Sequence, residues 1–175
     1  MSLNAAKCAT SANAYATVSE ADSFLEMVYG CEEWASVDDD AKERLLVTAS
    51  MSIDEMPVKY PKAASTQAMK FPLTIKSWFY DGFTEGEDGF DDVKKAAIWQ
   101  AFYLFENHDS IREAIANSIQ GVKQESLSSI SKASSGFNPM KRWSPKALSL
   151  MSRYTDFSTK HHRYRLPQYF DDNAR

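Results

Sequence analysis

The sequence is poor in the residues that metal sites and many catalytic centres use. Its 175 residues include three histidines and two cysteines. Cys8 and Cys31 form neither a CxxC pair nor a zinc-type cluster with histidine, so we expect two reduced thiols in a cytoplasmic protein. His161 and His162 lie in the C-terminal segment and His108 near a predicted helix end. A flexible tail is a poor scaffold for catalysis, which needs rigidly held groups, and we expect His108 to meet the helix dipole or solvent and not a substrate.

Motifs that bind nucleotides or activate a nucleophile are also missing. The chain has no Gly-rich phosphate loop of either common type and no nucleophile elbow. A run of carboxylates between residues 81 and 92 lacks the spacing and the distal glutamate of a calcium loop. We interpret this run as a solvated acidic loop that also caps the next helix. The sequence predicts a protein that is not an enzyme, with no cofactor and no metal.

Long hydrophobic runs are absent too. The longest extends from Ala96 to Phe105 and is interrupted by Gln100, whereas a transmembrane helix needs roughly 20 apolar residues. The first residues include one lysine but no apolar segment, so no secretory signal is expected. We therefore predict no association with a membrane.

The chain contains enough hydrophobic residues to form the core of one domain, and its charges are distributed unevenly along the sequence. Hydrophobic residues make up 43% and aromatic residues 13%. Residues 1–140 carry 12 basic and 21 acidic side chains, a balance of −9, and residues 141–175 carry 8 and 3, a balance of +5. A basic end can be a solvated terminus, a nucleic-acid contact or a protein contact. The acidic remainder would repel DNA, which favours a protein partner.

Helix signals occur at four or five places. Thr17 and Glu20 have capping-box spacing ahead of an apolar stripe that ends before Gly30. Aspartates at 38–40 favour the start of a second helix, which runs to about Met56. A third helix, residues 91–107, is apolar on nearly every face and should be central. A short fourth follows from Ser110, and Ser144 with Pro145 begins the last.

The segments between these helices complete the prediction. Residues 57–90 form a long loop whose Phe71 and Trp78 we expect to pack on the body. Residues 121–133 alternate weakly, which favours a strand or hairpin. The sequence predicts a mainly α fold: a helical bundle of about four to five helices with a small β-hairpin or strand pair and an extended C-terminal arm. Residues 1–14 would be a flexible N-terminus, residues 15–155 the domain, and residues 156–175 the arm.

An ordered series of landmarks gives the chain a family likeness. Residues 15–24 read Tyr-Ala-Thr-Val-Ser-Glu-Ala-Asp-Ser-Phe, with Trp34 after a short gap. Phe71-Pro72, a helix start at 92–96 and Gly-Val-Lys at 121–123 follow in that order. Together they resemble the head–tail adaptor (head-completion, neck connector) proteins of tailed bacteriophages, some of which carry the label DnaT-like. The insertion at 78–90 and the long basic tail depart from that family's pattern.

The resemblance implies a structural subunit of a homo-oligomeric, dodecameric ring in the virion neck, assembled in the host cytoplasm. Its partners would be the portal protein and a tail or neck-completion protein, and genome DNA would pass through the channel without sequence-specific binding. A replication-associated accessory protein that binds DNA is the alternative. In the resembling family a C-terminal arm docks into the portal. The corresponding residues here are Tyr154, Phe157, His161, His162, Arg163, Tyr164, Arg165, Leu166, Pro167, Tyr169 and Phe170.

Overall fold

The protein is mainly α-helical, as the sequence predicts. A computed structural model describes residues 2–76, 87–119, 125–127, 130–132 and 143–156. Four α-helices occur within this part of the chain, and a 3-10 turn, Glu32–Ser36, joins the first two. In chain order the helices are α1 (Val18–Glu26), α2 (Asp39–Asp54), α3 (Phe90–Ile119) and α4 (Pro145–Met151). Among the described helices, none is long and apolar enough to cross a membrane.

Helix α3 is the centre of the packing, because α2 and α4 both contact it. Val93, Ala96, Ala97 and Ala101 on α3 are fully buried. Their small side chains let the neighbouring helices approach closely. One cluster of core residues lies around the start of α3 with α4 and Phe71, and the other lies further along α3 with α1 and the 3-10 turn. The prediction of a central third helix is confirmed.

The predicted third and fourth helices follow each other directly across a kink, and the range of α3 includes both. Helix α3 continues past residue 107, where Asn107 takes a non-helical conformation with φ −114° and ψ 15°. The side-chain amide of Asn107 donates to the carbonyl oxygen of Tyr103 at 3.0 Å. Asparagine side chains compete with the backbone for such carbonyls, which favours a local break. The kink at Asn107 therefore agrees with the prediction of two successive helices that are interrupted near residue 107.

The start of α1 is fixed by the predicted capping box. The Thr17 hydroxyl accepts from the Glu20 amide at 3.2 Å, and the Glu20 carboxylate accepts from the Thr17 amide at 2.8 Å. The same carboxylate forms an ion pair with Lys94 of α3 at 2.6 Å. This pair connects the beginning of α1 to the central helix. Gly30, at φ +85°, lies in the turn after α1.

The Glu20 interactions predict a dependence of stability on pH. Burial alone would raise the pKa of Glu20, but hydrogen bonds from Lys94 and from the Thr17 backbone outweigh it and lower the pKa below its ordinary value of 4.5. A carboxyl with a lowered pKa stabilises the fold above its unfolded-state pKa, and this contribution is lost as pH falls through the folded-state value. We expect urea denaturation to show a difference between wild type and Glu20→Gln that is constant above pH 4.5 and shrinks below it. A difference that does not change with pH would contradict the assignment.

Residues 4–13 contact one another and the body through hydrogen bonds and an ion pair, and the flexible N-terminus predicted for residues 1–14 stays a prediction. Asn4 and Asn13 close a loop through a 2.7 Å hydrogen bond. The Ala9 carbonyl accepts from the Ala68 amide at 3.1 Å, and Lys7 pairs with Asp88 at 2.7 Å. The small side chains that suggested a loose segment allow it to pack closely.

The long connection after α2 is also built onto the body through described residues 57–76. Phe71 is buried, as predicted, and packs edge-on against Tyr15 with ring centroids 5.9 Å apart. The Asp54 carboxylate accepts from the Tyr15 hydroxyl and from the Lys70 amide. Burial, and then the charge of Asp54, raise the pKa of Tyr15 above its ordinary value, so the hydroxyl keeps its proton. Trp78 lies outside the described residues.

The remaining elements are short. Glu125–Leu127 and Ile130–Lys132 pair as antiparallel three-residue segments. The small β-hairpin that the sequence analysis includes in the fold stays a prediction. Ser144 and Pro145 begin α4 as predicted. The Ser144 amide donates to the side-chain oxygen of buried Gln100 at 2.8 Å, which attaches α4 to α3. The predicted extended arm, beyond residue 156, lies outside the described residues.

Candidate functional site

The described body ends at the point where the predicted C-terminal arm begins. After α4, residues 153–156 lie alongside residues 57–59, with an antiparallel bridge between Val58 and Thr155. The Lys59 amide donates to the Tyr154 carbonyl at 2.9 Å, and the Asp156 amide donates to the Pro57 carbonyl at 2.9 Å. We call residues 153–156 the arm root. Backbone hydrogen bonds on both sides of Thr155 fix the place from which the chain continues.

Tyr154 anchors the arm root in the core. Its side chain is 0% exposed and packs edge-on against Phe71, with ring centroids 5.8 Å apart. The Tyr154 hydroxyl lies 2.5 Å from Asp92 Oδ2 and 3.1 Å from Glu87 Oε1. Burial, and then the hydrogen bond to Asp92, raise the pKa of Tyr154 above its ordinary value. The hydroxyl therefore remains a donor to the carboxylates.

Arg153 balances the charge of these carboxylates. Its guanidinium Nη1 lies 3.2 Å from Glu87 Oε1 and 3.9 Å from Asp92 Oδ2. Two carboxylates close to one hydroxyl would repel each other without a nearby cation. Arg153 and Tyr154 thus connect the arm root to the start of α3 through one shared polar cluster. The arrangement holds two segments together, and we assign it a positioning role.

Gly89 makes room for the Tyr154 ring. Its φ is +73°, and a Cβ atom at this position would lie 2.8 Å from Tyr154 Cε1. Glycine meets both requirements, because it tolerates positive φ and has no side chain. The close approach of backbone and ring is part of what buries Tyr154.

Replacing Gly89 should therefore destabilise the body. Backbone strain and overpacking together predict a loss of about 2–4 kcal/mol in the free energy of unfolding for Gly89→Ala, measured by urea denaturation. Gly30→Ala is the matched control, because Gly30 also has a positive φ, +85°, but no atom lies within 4 Å of the place that an added methyl group would occupy. Equal losses in the two variants would show that the contact with Tyr154 adds nothing.

Tyr154, which the sequence analysis assigns to the partner-binding residues of the arm, lies in the core of its own subunit with its hydroxyl bound to Asp92. Its role toward a partner stays a prediction. The other predicted arm residues lie outside the described residues. They are Phe157, His161, His162, Arg163, Tyr164, Arg165, Leu166, Pro167, Tyr169 and Phe170.

Sequence reasoning missed the residues that hold the arm root, Glu87, Gly89 and Asp92. The acidic run was interpreted as a solvated loop, but Glu87 and Asp92 are about three-quarters buried, with side chains 23% and 26% exposed. A signal for Tyr154 was present, since residues 147, 151 and 154 share helical spacing with buried side chains. That spacing continues the apolar side of α4 by one more turn.

Most positive side chains of the described body contact partners within the subunit. Lys7, Lys42, Lys94 and Arg153 pair with carboxylates. Others donate to backbone carbonyls, namely Lys59, Lys62 and Lys70. Lys146 lies 3.4 Å from the centroid of the Trp99 ring. These contacts offset part of the positive charge within the subunit, although Lys7, Lys59, Lys62, Lys146 and Arg153 remain exposed to solvent.

Neither a ligand-sized cavity nor a metal-binding cluster is evident among the residues that the structure describes. A cavity bounded by Tyr15, Gln67, Phe71 and Phe90 has a volume of about 10 Å³, the size of one water molecule. Within the same residues no group of three or more histidine, cysteine and acidic side chains could hold a metal ion.

Comparison with known proteins places the chain in a family. Residues 1–163 match the model of the family described as "Putative DnaT-like ssDNA binding protein". No curated protein and no solved structure matches the chain. The matched residues include every described element, from the loop before α1 to the arm root. Because the match extends over well more than half of the sequence, the chain belongs to the family of DnaT-like ssDNA binding proteins.

Proposed function

We propose that this protein is a structural adaptor subunit in the neck of a tailed bacteriophage. It assembles into a homo-oligomeric, dodecameric ring, docks on the portal protein, and carries the next neck or tail component. The observation that carries the proposal is the arm root. A body that ends in a fixed anchor, followed by a cationic and aromatic segment, is suited to attach itself to another protein at a defined position.

The charge of the body supports this role. Most of its described cationic side chains are bound to carboxylates, carbonyls or an aromatic ring of the same subunit. In residues 1–140 the acidic side chains outnumber the basic ones by 21 to 12. A wall of this kind lets DNA pass without holding it, because like charges repel.

The composition of the arm supports a protein partner. Residues 157–170 contain Lys160, Arg163 and Arg165 and no carboxylate. The same stretch contains tyrosine and phenylalanine, which with arginine are the residue types enriched where protein interfaces gain most of their binding energy. The portal is the partner that the sequence resemblance implies for this segment.

Electron microscopy of the full chain mixed with its portal protein tests the proposal. The expected result is a ring with twelve-fold symmetry seated on the portal and absent from images of the portal alone. If neither free nor portal-bound rings form over a range of concentrations, the adaptor role is excluded.

The family description favours a second candidate, a replication-associated accessory protein that binds single-stranded DNA. Residues 141–175, with a net charge of +5, are the segment that would bind the DNA. If the tail neutralised about five phosphates, the affinity for single-stranded DNA would fall roughly 100-fold between 50 and 200 mM salt. Binding that is weak and independent of salt would exclude this candidate and leave the adaptor unaffected.

A further inference from the structure

The connection between α1 and α2 presents carboxylates around two large apolar side chains. Tyr29 is 98% exposed and Met27 is 79% exposed, and both are among the large hydrophobic side chains that the described body leaves in solvent. We call residues 26–43 the acidic face. Its carboxylates are Glu26, Glu32, Glu33, Asp38, Asp39, Asp40 and Glu43.

The cation within this segment does not neutralise it. Lys42 is 5% exposed, and its Nζ atom lies 3.0 Å from Asp22 and 5.8 Å from the centroid of the Trp34 ring. The Trp34 indole also donates to Asp22 at 2.8 Å. Lys42 is thus held mainly in the interior of the subunit, and within the acidic face it pairs with Asp39 at 3.9 Å. Most of the acidic residues of the acidic face are exposed to solvent.

The acidic face has a defined shape. Buried Trp34 holds the 3-10 turn against the core, with the Phe105 ring edge-on at 6.3 Å. The Gly30 amide donates to Glu32 Oε1 at 3.2 Å. Backbone donors at Glu32 and Gly30 lower the pKa of Glu32, which keeps the carboxylate charged. Exposed tyrosine and methionine on a fixed acidic surface are typical of a surface that a cationic, aromatic partner covers.

We propose that the acidic face binds residues 157–175 of a second copy of this chain. That segment carries Lys160, Arg163, Arg165 and Arg175 against Asp171 and Asp172, so its charge is opposite to that of the face. Its arginines and aromatic rings are suited to stack on Tyr29, and its apolar residues are suited to cover Met27. Residues 157–175 would then have two alternative partners, the acidic face of a second copy and the portal protein.

The positions of the arm root and the acidic face are compatible with a contact between two copies. The root lies beside Asp92, near the start of α3, and the face is attached next to Phe105 through Trp34. Thirteen helical residues separate these positions along α3, which corresponds to about 20 Å. A contact from one end of a subunit to the other end of its neighbour is the head-to-tail arrangement that closes rings. In this respect the inference rests on the proposed function.

Binding of a labelled synthetic peptide of residues 157–175 to the full chain, followed by fluorescence anisotropy, tests the contact without a ring or a portal. We expect Glu26→Lys and Tyr29→Ser each to weaken binding at least about tenfold. Glu26 is in the last turn of α1, where a cation is favourable, so the variant should fold. The matched controls are Asp109→Lys and Met51→Ser, which change exposed residues outside the face and should leave binding unchanged. Equal loss in face and control variants would overturn the proposal.

Sedimentation of the full chain identifies which copy supplies the segment. We expect a mass that rises with concentration in wild type and in Asp109→Lys, and a monomer in Glu26→Lys. A wild-type chain that stays monomeric at all concentrations while the peptide still binds would show docking within one subunit and overturn the second-copy proposal. Peptide binding and self-association without a ring on the portal would refute the proposed function and leave this contact standing.

Discussion

Tyr154→Ala should lower the free energy of unfolding of the body by about 3–5 kcal/mol, the range measured for large buried aromatic side chains. Tyr154 is fully buried, packs on Phe71, and hydrogen-bonds Asp92 at the start of α3. The truncation removes the ring from the core and leaves two carboxylates without their hydroxyl donor. Urea denaturation of the full chain, followed by circular dichroism, measures the change.

Two matched variants separate the causes. Tyr29→Ala changes the same residue type at a position that is 98% exposed, so stability should shift by no more than about 0.5 kcal/mol. Tyr154→Phe keeps the ring and removes the hydroxyl, which should cost about 1–3 kcal/mol because the two carboxylates lose this donor. If Tyr154→Ala is as stable as Tyr29→Ala, Tyr154 belongs to the arm and not to the core.

Deleting residues 157–175 should weaken attachment to the portal on the order of 100-fold or more while the body keeps its stability. Loss of two hot-spot side chains, at about 2 kcal/mol each, is enough for this effect. The described contacts of the body reach Asp156, whose amide bonds to the Pro57 carbonyl, so the deletion begins after the last of them. Cosedimentation with the portal gives the affinity, and thermal unfolding gives the stability.

A truncation at an earlier residue serves as the control for this deletion. A chain that ends at Arg153 loses Tyr154 and both backbone hydrogen bonds of the arm root, and we expect it to unfold more easily. Replacing Arg163 and Arg165 by serine keeps the length and tests the charge of the arm alone. Unchanged portal attachment after deletion of residues 157–175 would show that the arm does not bind the portal.

The helices could be predicted from the sequence because their signals are local. Thr17 and Glu20 mark the start of α1 through a capping box, and Ser144 and Pro145 mark the start of α4 as its N-cap residue and first helical residue. The break at Asn107 could be located as well, but whether the chain bends there or forms a loop depends on what packs around it. The order of the N-terminal loop could not be predicted, since its bonds to Ala68 and Asp88 join residues far apart in the sequence.

The candidate site depends on long-range contacts, and little of it could be predicted. Tyr154, Gly89 and Asp92 meet only after α4 has packed on α3. An aromatic residue next to a basic tail has the composition of an interface, but the burial of Tyr154 shows that it belongs to the core. The split between an acidic body and a basic end, by contrast, can be counted directly in the sequence.

The pairing of residues 57–59 with the arm root has a mechanical consequence. Any pull on the C-terminal segment reaches the subunit first at Asp156, then at the two backbone hydrogen bonds that flank Thr155, and then at the Tyr154 ring. Tension is thereby delivered to the Pro57–Lys59 connection and to the beginning of the central helix together. A force on the C-terminal segment is therefore resisted by two parts of the subunit, and the short helix α4 does not resist it alone.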